Sequence, residues 1–281
     1  MSDFKQIYHI CTDALRRCMI NPRIYISVLL ATVLIEPLIS PIRDFAGWAG
    51  VPSAPWVFPF LMQEYYIQTI ILFGAVLLFC DAPFMNEGTP YWVIRSGRKN
   101  WFWGQIGYVF FASLIYFLLI ISVSIMLLIP NVTLDWDWGK VLNTLSQTDT
   151  AFQIGTNKLD ASLQIAYTPT LSMLFSLLMS WLNGVLIGMV MFLVNLNMKR
   201  IMGPVLGALL STLPYFAIYS SNIHIIYFFA PGTWMNIMLL HTERMPSLLY
   251  AVVFLGIAIS ALIFLSYLSI RKRTIDVLPT I

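Results

Sequence analysis

Charge is what this sequence has least of. Lys, Arg, Asp and Glu together make up 10% of its 281 residues, against about 25% in a soluble domain. No ordinary water-facing surface can be built from so few. Cysteine is nearly absent as well: Cys11, Cys18 and Cys80 are an odd number with no metal-ligand spacing, and no role is expected for them. Also missing are His-Glu-x-x-His, Gly-x-Ser-x-Gly and the phosphate loop Gly-x-x-x-x-Gly-Lys-Ser/Thr. Catalysis by this chain is therefore not expected, nor any bound cofactor, and an energy source would come from an ion gradient or another chain. His224, His241 and Glu243 are too few for a metal site, which usually takes three or four ligands. No feature points to nucleic acid. The first apolar run starts at Ile24, behind Lys5, Arg16, Arg17 and Arg23, and ends without an Ala-x-Ala-like cleavage site, so it is expected to stay in the mature protein.

What is present is apolar. The chain is 59% hydrophobic and 15% aromatic, and at about 20 residues per crossing it has room for roughly six membrane spans. The expected fold is an all-α integral membrane protein, a single transmembrane domain over residues 1–281. Its spans are placed at 24–40, 60–80, 101–129, 171–196, 201–220 and 248–270. Basic residues orient them. Lys5, Arg16, Arg17, Arg23, Arg95, Arg98, Lys99, Lys199, Arg200, Arg271, Lys272 and Arg273 fall on one side, and only Arg43, Lys140, Lys158 and Arg244 on the other. The positive-inside rule then puts both termini, including the 271–281 tail, in the cytoplasm. Residues 223–243 are apolar too, but Pro231-Gly232 divides them into pieces too short to span. They read as a re-entrant helical pair on the outer face, with Thr233 capping the second piece.

Three further segments have a pattern. In residues 1–20, Phe4, Ile7, Tyr8, Cys11, Leu15, Cys18 and Met19 share an arc of about 120° on a helical wheel, with Ile10 misplaced. That predicts an amphipathic helix in the inner interface, or an arm packed on a partner. The outer loop 131–170 is net acidic, and its Asp135-Trp136-Asp137-Trp138 suits an aromatic belt. Ser172, Ser176, Ser180, Gly184 and Gly188 recur every four residues, a stripe for close helix packing or for a path. Polar groups inside spans are rarer. Glu36, about 18 Å above Ile24 by helix rise, has two readings: pairing with Arg43 at the outer interface, or lining a translocation path. Asn183 shares the path reading, though Asn183 and Asn195 are most simply interhelical hydrogen-bond donors.

The stretch Asp81–Gln105 lies between two spans on the basic side. Thr89 as N-cap, Pro90 as first helical residue and Gly97 as the stop after Arg95-Ser96 mark one short helix. Its position suggests that it is touched by something else.

Several of these segments together resemble the permease subunit of ABC type 2 exporters of Gram-positive bacteria. The resemblance is carried by the amphipathic helix before the first span and by Glu-Gly-Thr-Pro-Tyr followed by Arg-Ser-Gly-Arg-Lys-Asn-Trp before the third. Phe-Phe-Ala-Pro-Gly-Thr-Trp before the last span and the six-span plan complete it. It implies that the 81–100 loop carries a coupling helix docking on a separate ATPase subunit, with Thr89, Pro90, Tyr91, Trp92, Arg95 and Arg98 in the contact and Glu87 at its approach. It also implies a second permease subunit, alike or different, and ATP and Mg bound in the ATPase. A peptide, drug or lipid-like substrate would leave between the permeases. Two other classes stand beside it: a gradient-driven secondary transporter working alone, and a non-transporting anchor or immunity subunit.

Overall fold

The computed structural model describes residues 3–83, 89–156, 159–198, 201–219, 224–242 and 244–272, with only the backbone described at 89–92, 219 and 272. Glu87, Lys158, Lys199, Arg200, Glu243 and Arg273 lie outside the described residues. The described residues form helices and turns and no β-strand. Their α-helices are α1 (Asp3–Ile20), α2 (Pro22–Ala49), α3 (Phe58–Leu61), α4 (Tyr65–Phe79), α5 (Thr89–Met126), α6 (Gly139–Gln147), α7 (Thr150–Gln153), α8 (Ala161–Ala166), α9 (Pro169–Asn197), α10 (Met202–Tyr219) and α11 (Leu248–Lys272).

Four helices are long and apolar enough to cross a membrane: α2, the Val93–Met126 part of α5, α9, and α11 as far as Arg271. The other two expected spans are apolar but shorter. α4 has 15 residues, about 22 Å of rise against a hydrocarbon core of about 30 Å. The stretch expected as one span over 60–80 is interrupted: α3 ends at Leu61, and the chain turns before α4 starts at Tyr65. Gln68 in α4 donates back to the Met62 carbonyl at 2.5 Å, fixing that turn.

Proline did not end the first span. α2 runs through Pro37 and Pro41 to Ala49, nine residues beyond the expected end, and stops at Gly50 with φ 64°. Each proline removes one helix hydrogen bond, to the carbonyl four residues back, and distant residues hold this half of the helix at two other carbonyls. Asn131 Nδ2 donates to the Arg43 carbonyl at 3.0 Å, and Thr156 Oγ1 to that of Leu38 at 3.1 Å.

α4 is the central helix, touching α2, α5, α9 and α10. Close approach rests on small residues. A Cβ at Gly188 would meet Val109 at 2.7 Å and Phe79 at 3.0 Å, and one at Gly184 would run into Ser113 and Phe117. The four-residue stripe of α9 is thus a packing seam against α5 and α4. Ser113 and Trp181 complete it: Ser113 Oγ donates to the Trp181 carbonyl at 3.2 Å, and the Trp181 indole to that of Phe110 at 2.9 Å.

α1 corrects the wheel. Ile10, Cys11, Ala14 and Cys18 are buried against α5, while Phe4, Tyr8 and Met19 are exposed. Ile10 is not misplaced: it sits where a Cβ on Gly104 would be 2.7 Å from its own. The apolar arc is shared between the chain's own α5 and the outside. Burial pushes the Cys11 and Cys18 thiols up, a Tyr108 hydrogen bond only partly opposing it at Cys18, so both are protonated at neutral pH.

The described parts of segments 50–64, 127–168 and 224–247, between the long helices, are themselves folded. Ser53 and Asn131–Thr133 exchange backbone hydrogen bonds at 2.8 and 3.0 Å. Trp138 is buried edge-to-face on Phe60 and donates to the Tyr167 carbonyl, whereas Trp136 is 81% exposed. Only one of the two indoles is free to act as a belt. Residues 224–241 form three 3-10 turns in place of a helical pair. Pieces of three to five residues cannot repay α-helix nucleation, and i to i+3 bonds satisfy the backbone instead. Thr233 lies inside the second turn, donating to the Ala230 carbonyl at 2.7 Å, so it is not an N-cap. That turn is buried among α4, α9, α10 and α11, and Gly232 touches Leu72 and Pro214. It reaches the middle of α4, at Leu72.

Candidate functional site

The 81–100 loop leads into a broken helix. Helix begins at Thr89, and its only non-helical residue is Gly97, at φ 79° and ψ 151°. These dihedrals suit glycine and few other residues, so the loop helix ends there and the spanning part resumes beyond it. The side chains of Thr89, Pro90, Tyr91 and Trp92 lie outside the described set. Of the rest, Arg95, Arg98 and Lys99 are exposed, and Ile94 is 82% exposed between them and the buried Val93. An exposed apolar side chain thus lies next to a run of exposed basic residues.

Both ends of the loop are anchored. At its start, the Arg23 guanidinium donates to the Asp81 carboxylate and, at 2.8 Å, to Cys80 Sγ. Asn195 in α9 donates to the Ala82 carbonyl at 2.7 Å and to that of Cys80 at 3.3 Å. Gly203 in α10 leaves the room, since a Cβ there would run into Asn195. At its far end, Asn100 Nδ2 bonds Gln6 Oε1 at 2.9 Å and Asp3 Oδ1 at 3.2 Å, tying α5 to α1. The chain is thus held at Cys80–Ala82 by α2 and α9, and at Asn100, next to the basic segment, by α1.

No known family, curated protein or solved structure matches this chain.

Of the two path candidates, Asn183 is buried and donates to Met179 of its own helix at 2.8 Å, so it is not an interhelical donor. Asn195 is one. Glu36 is half-buried and makes no hydrogen bond or ion pair with any described residue. The expected Glu36–Arg43 pair does not form: Arg43 bonds Asp44 at 3.2 Å and the Leu127 carbonyl at 3.4 Å. His241 stacks edge-on against Tyr167, and no group of three His, Cys, Asp or Glu comes together among the described residues.

Sequence reasoning passed over Arg23, Asp81 and Ile94. Arg23 and Asp81 are 58 residues apart, and the one available signal was opposite charge at the same side of neighbouring apolar runs. The two anchors differ in strength. The Arg23–Asp81 pair is about half-exposed, so Asp81→Asn is expected to cost less than about 1 kcal/mol. Asn195→Ala strips a donor from two carbonyls and is expected to cost about 1–3 kcal/mol. Thermal unfolding of both variants in detergent measures the order, and an equal or reversed order contradicts this account.

Proposed function

We propose that the chain is the membrane-spanning subunit of an ATP-driven exporter, working with a separate ATPase and a second permease subunit. The observation that carries this reading is the loop helix 89–96. It presents Ile94 and Arg95, ends at a positive-φ glycine followed by Arg98 and Lys99, and lies between anchors at Asp81–Ala82 and at Asn100. Six crossings with both termini inside accompany it, α4 and α10 crossing together with the buried turns that extend them. The lopsided distribution of basic residues supports that orientation. Nucleotide and Mg are bound by the partner, since the sequence has no phosphate loop.

Purification in mild detergent tests the proposal: an ATPase subunit is expected to accompany the protein. Reversing charge with Arg95→Glu and Arg98→Glu is expected to weaken that association about tenfold or more, with membrane insertion unchanged. Transport in liposomes containing this chain alone, without nucleotide, would overturn it in favour of the gradient-driven reading.

A further inference from the structure

Round its axis, at about 100° per residue, α1 divides into sectors of different character. Ile10, Cys11, Ala14 and Cys18 share one sector and are buried against α5. Phe4, Tyr8 and Met19 come next, within about 60° of one another, and all three are exposed. Lys5, Arg16 and His9 border them, exposed as well. Asp13 and Arg17 lie beyond, joined as an ion pair at 2.8 Å. Ile20, the last residue of the helix, is the one exposed large apolar side chain outside this order.

The helix sits beside a membrane boundary. Arg23 and Arg43 bracket the middle of α2, with about 30 Å of rise between them, the thickness of a hydrocarbon core. Both are ion-paired, with Asp81 and Asp44 respectively. α1 precedes Arg23 and follows α5 on the side of the basic segment, with Gln6 at Asn100, Ile10 at Gly104 and Cys11 at Gly107. Where the two helices join, the Tyr25 hydroxyl donates to the Met19 carbonyl at 2.8 Å. The exposed Met19 is therefore continuous with the exposed Tyr25, Ile26, Leu29 and Leu30 of a helix long enough to span.

The order of the sectors selects the partner. A helix lying in a bilayer surface sinks its apolar sector to the acyl boundary and turns its flanking cations to the phosphates. No carboxylate of α1 falls in the basic sector, so a negative headgroup meets attraction without a competing charge. We infer that the Phe4–Tyr8–Met19 sector lies in the lipid headgroup boundary, where Lys5 and Arg16 bind anionic lipid.

The test uses the full chain in phosphatidylcholine nanodiscs with Cys80→Ala, the buried Cys11 and Cys18 being kept. One thiol is added by Tyr8→Cys or, on the far side, by Asp13→Cys, and carries a fluorophore. A small fraction of nitroxide-bearing lipid is then added, either phosphatidylglycerol or phosphatidylcholine. At Tyr8→Cys both are expected to quench, with phosphatidylglycerol effective at a roughly tenfold lower fraction, as two surface cations imply. Lys5→Gln combined with Arg16→Gln is expected to bring the two lipids level. Lys5, Tyr8 and Arg16 are exposed, so these changes should leave the fold in place, which size-exclusion chromatography checks. At Asp13→Cys quenching by either lipid is expected to be weak. Quenching by neither lipid at Tyr8→Cys overturns the inference, leaving that sector in water and open to a protein partner. Equal quenching by the two lipids overturns it too, as does a preference that survives the double change. So does quenching at Asp13→Cys as strong as at Tyr8→Cys. Neither ATPase nor nucleotide takes part, so this result and that of the docking experiment are read separately.

Discussion

Trp234→Ala is expected to be among the most damaging single changes in the chain. Trp234 is fully buried in the second 3-10 turn, edge-to-face with Phe254 at 5.3 Å and Tyr250 at 5.9 Å, and its indole donates to the Tyr227 carbonyl at 2.7 Å. Truncation empties the place of a large ring and orphans a carbonyl, at roughly 3–5 kcal/mol. The apparent unfolding temperature in detergent should fall on the order of 10 °C. Trp234→Phe keeps most of the ring and loses only the hydrogen bond, so it should cost about 1–3 kcal/mol. A melt of Trp234→Ala indistinguishable from the parent would show that the turn is not part of the cooperative unit.

The second large effect is expected from adding two methyl groups and a Cβ. Gly74 sits where α2, α4 and α5 meet: a Cβ there would run into the Tyr116 hydroxyl and lie 3.3 Å from the Ser27 Cβ. Tyr116 is fully buried and donates to the Ile71 carbonyl at 2.9 Å. Gly74→Val must push that ring aside, combining overpacking with a broken buried hydrogen bond, about 3 kcal/mol or more. Gly256→Val in α11 is the control, because nothing lies within 4 Å of its added Cβ. Folded yield by size-exclusion chromatography, with thermal unfolding of what remains, reads both. Equal behaviour of the two variants would refute the three-helix contact.

Some of this was legible in the residues because the physics is local. α9 and α11 fall within two residues of the expected spans, since a long apolar run leaves few alternatives to helix. Gly97 was readable as a stop because the positions around it set up a helix that a glycine ends. Ile10 carried a signal that was misread: an isoleucine off the apolar arc marked a second face, and a wheel cannot tell lipid from a neighbouring helix. Pro37 and Pro41 misled for a related reason, since the residues that hold this half of the helix, Asn131 and Thr156, come from over eighty residues away. The fates of Trp136 and Trp138, one exposed and one buried, depend on Phe60 and Tyr167, which no local pattern brings together. Glu36 was visible from the start, but that Arg43 does not pair with it appears only when Arg43 is seen held by Asp44 and the Leu127 carbonyl.

The seating of α1 on α5 matters for anyone attaching a reporter. Because Asp3 and Gln6 are bonded to Asn100, a fusion tag or fluorophore placed ahead of residue 3 hangs beside Arg98 and Lys99. There it would crowd the basic segment, so a pull-down that tests the proposed ATPase partner is better made through a handle elsewhere. The same proximity makes a small dye at that end a useful gauge, because its emission would change when the segment is occupied.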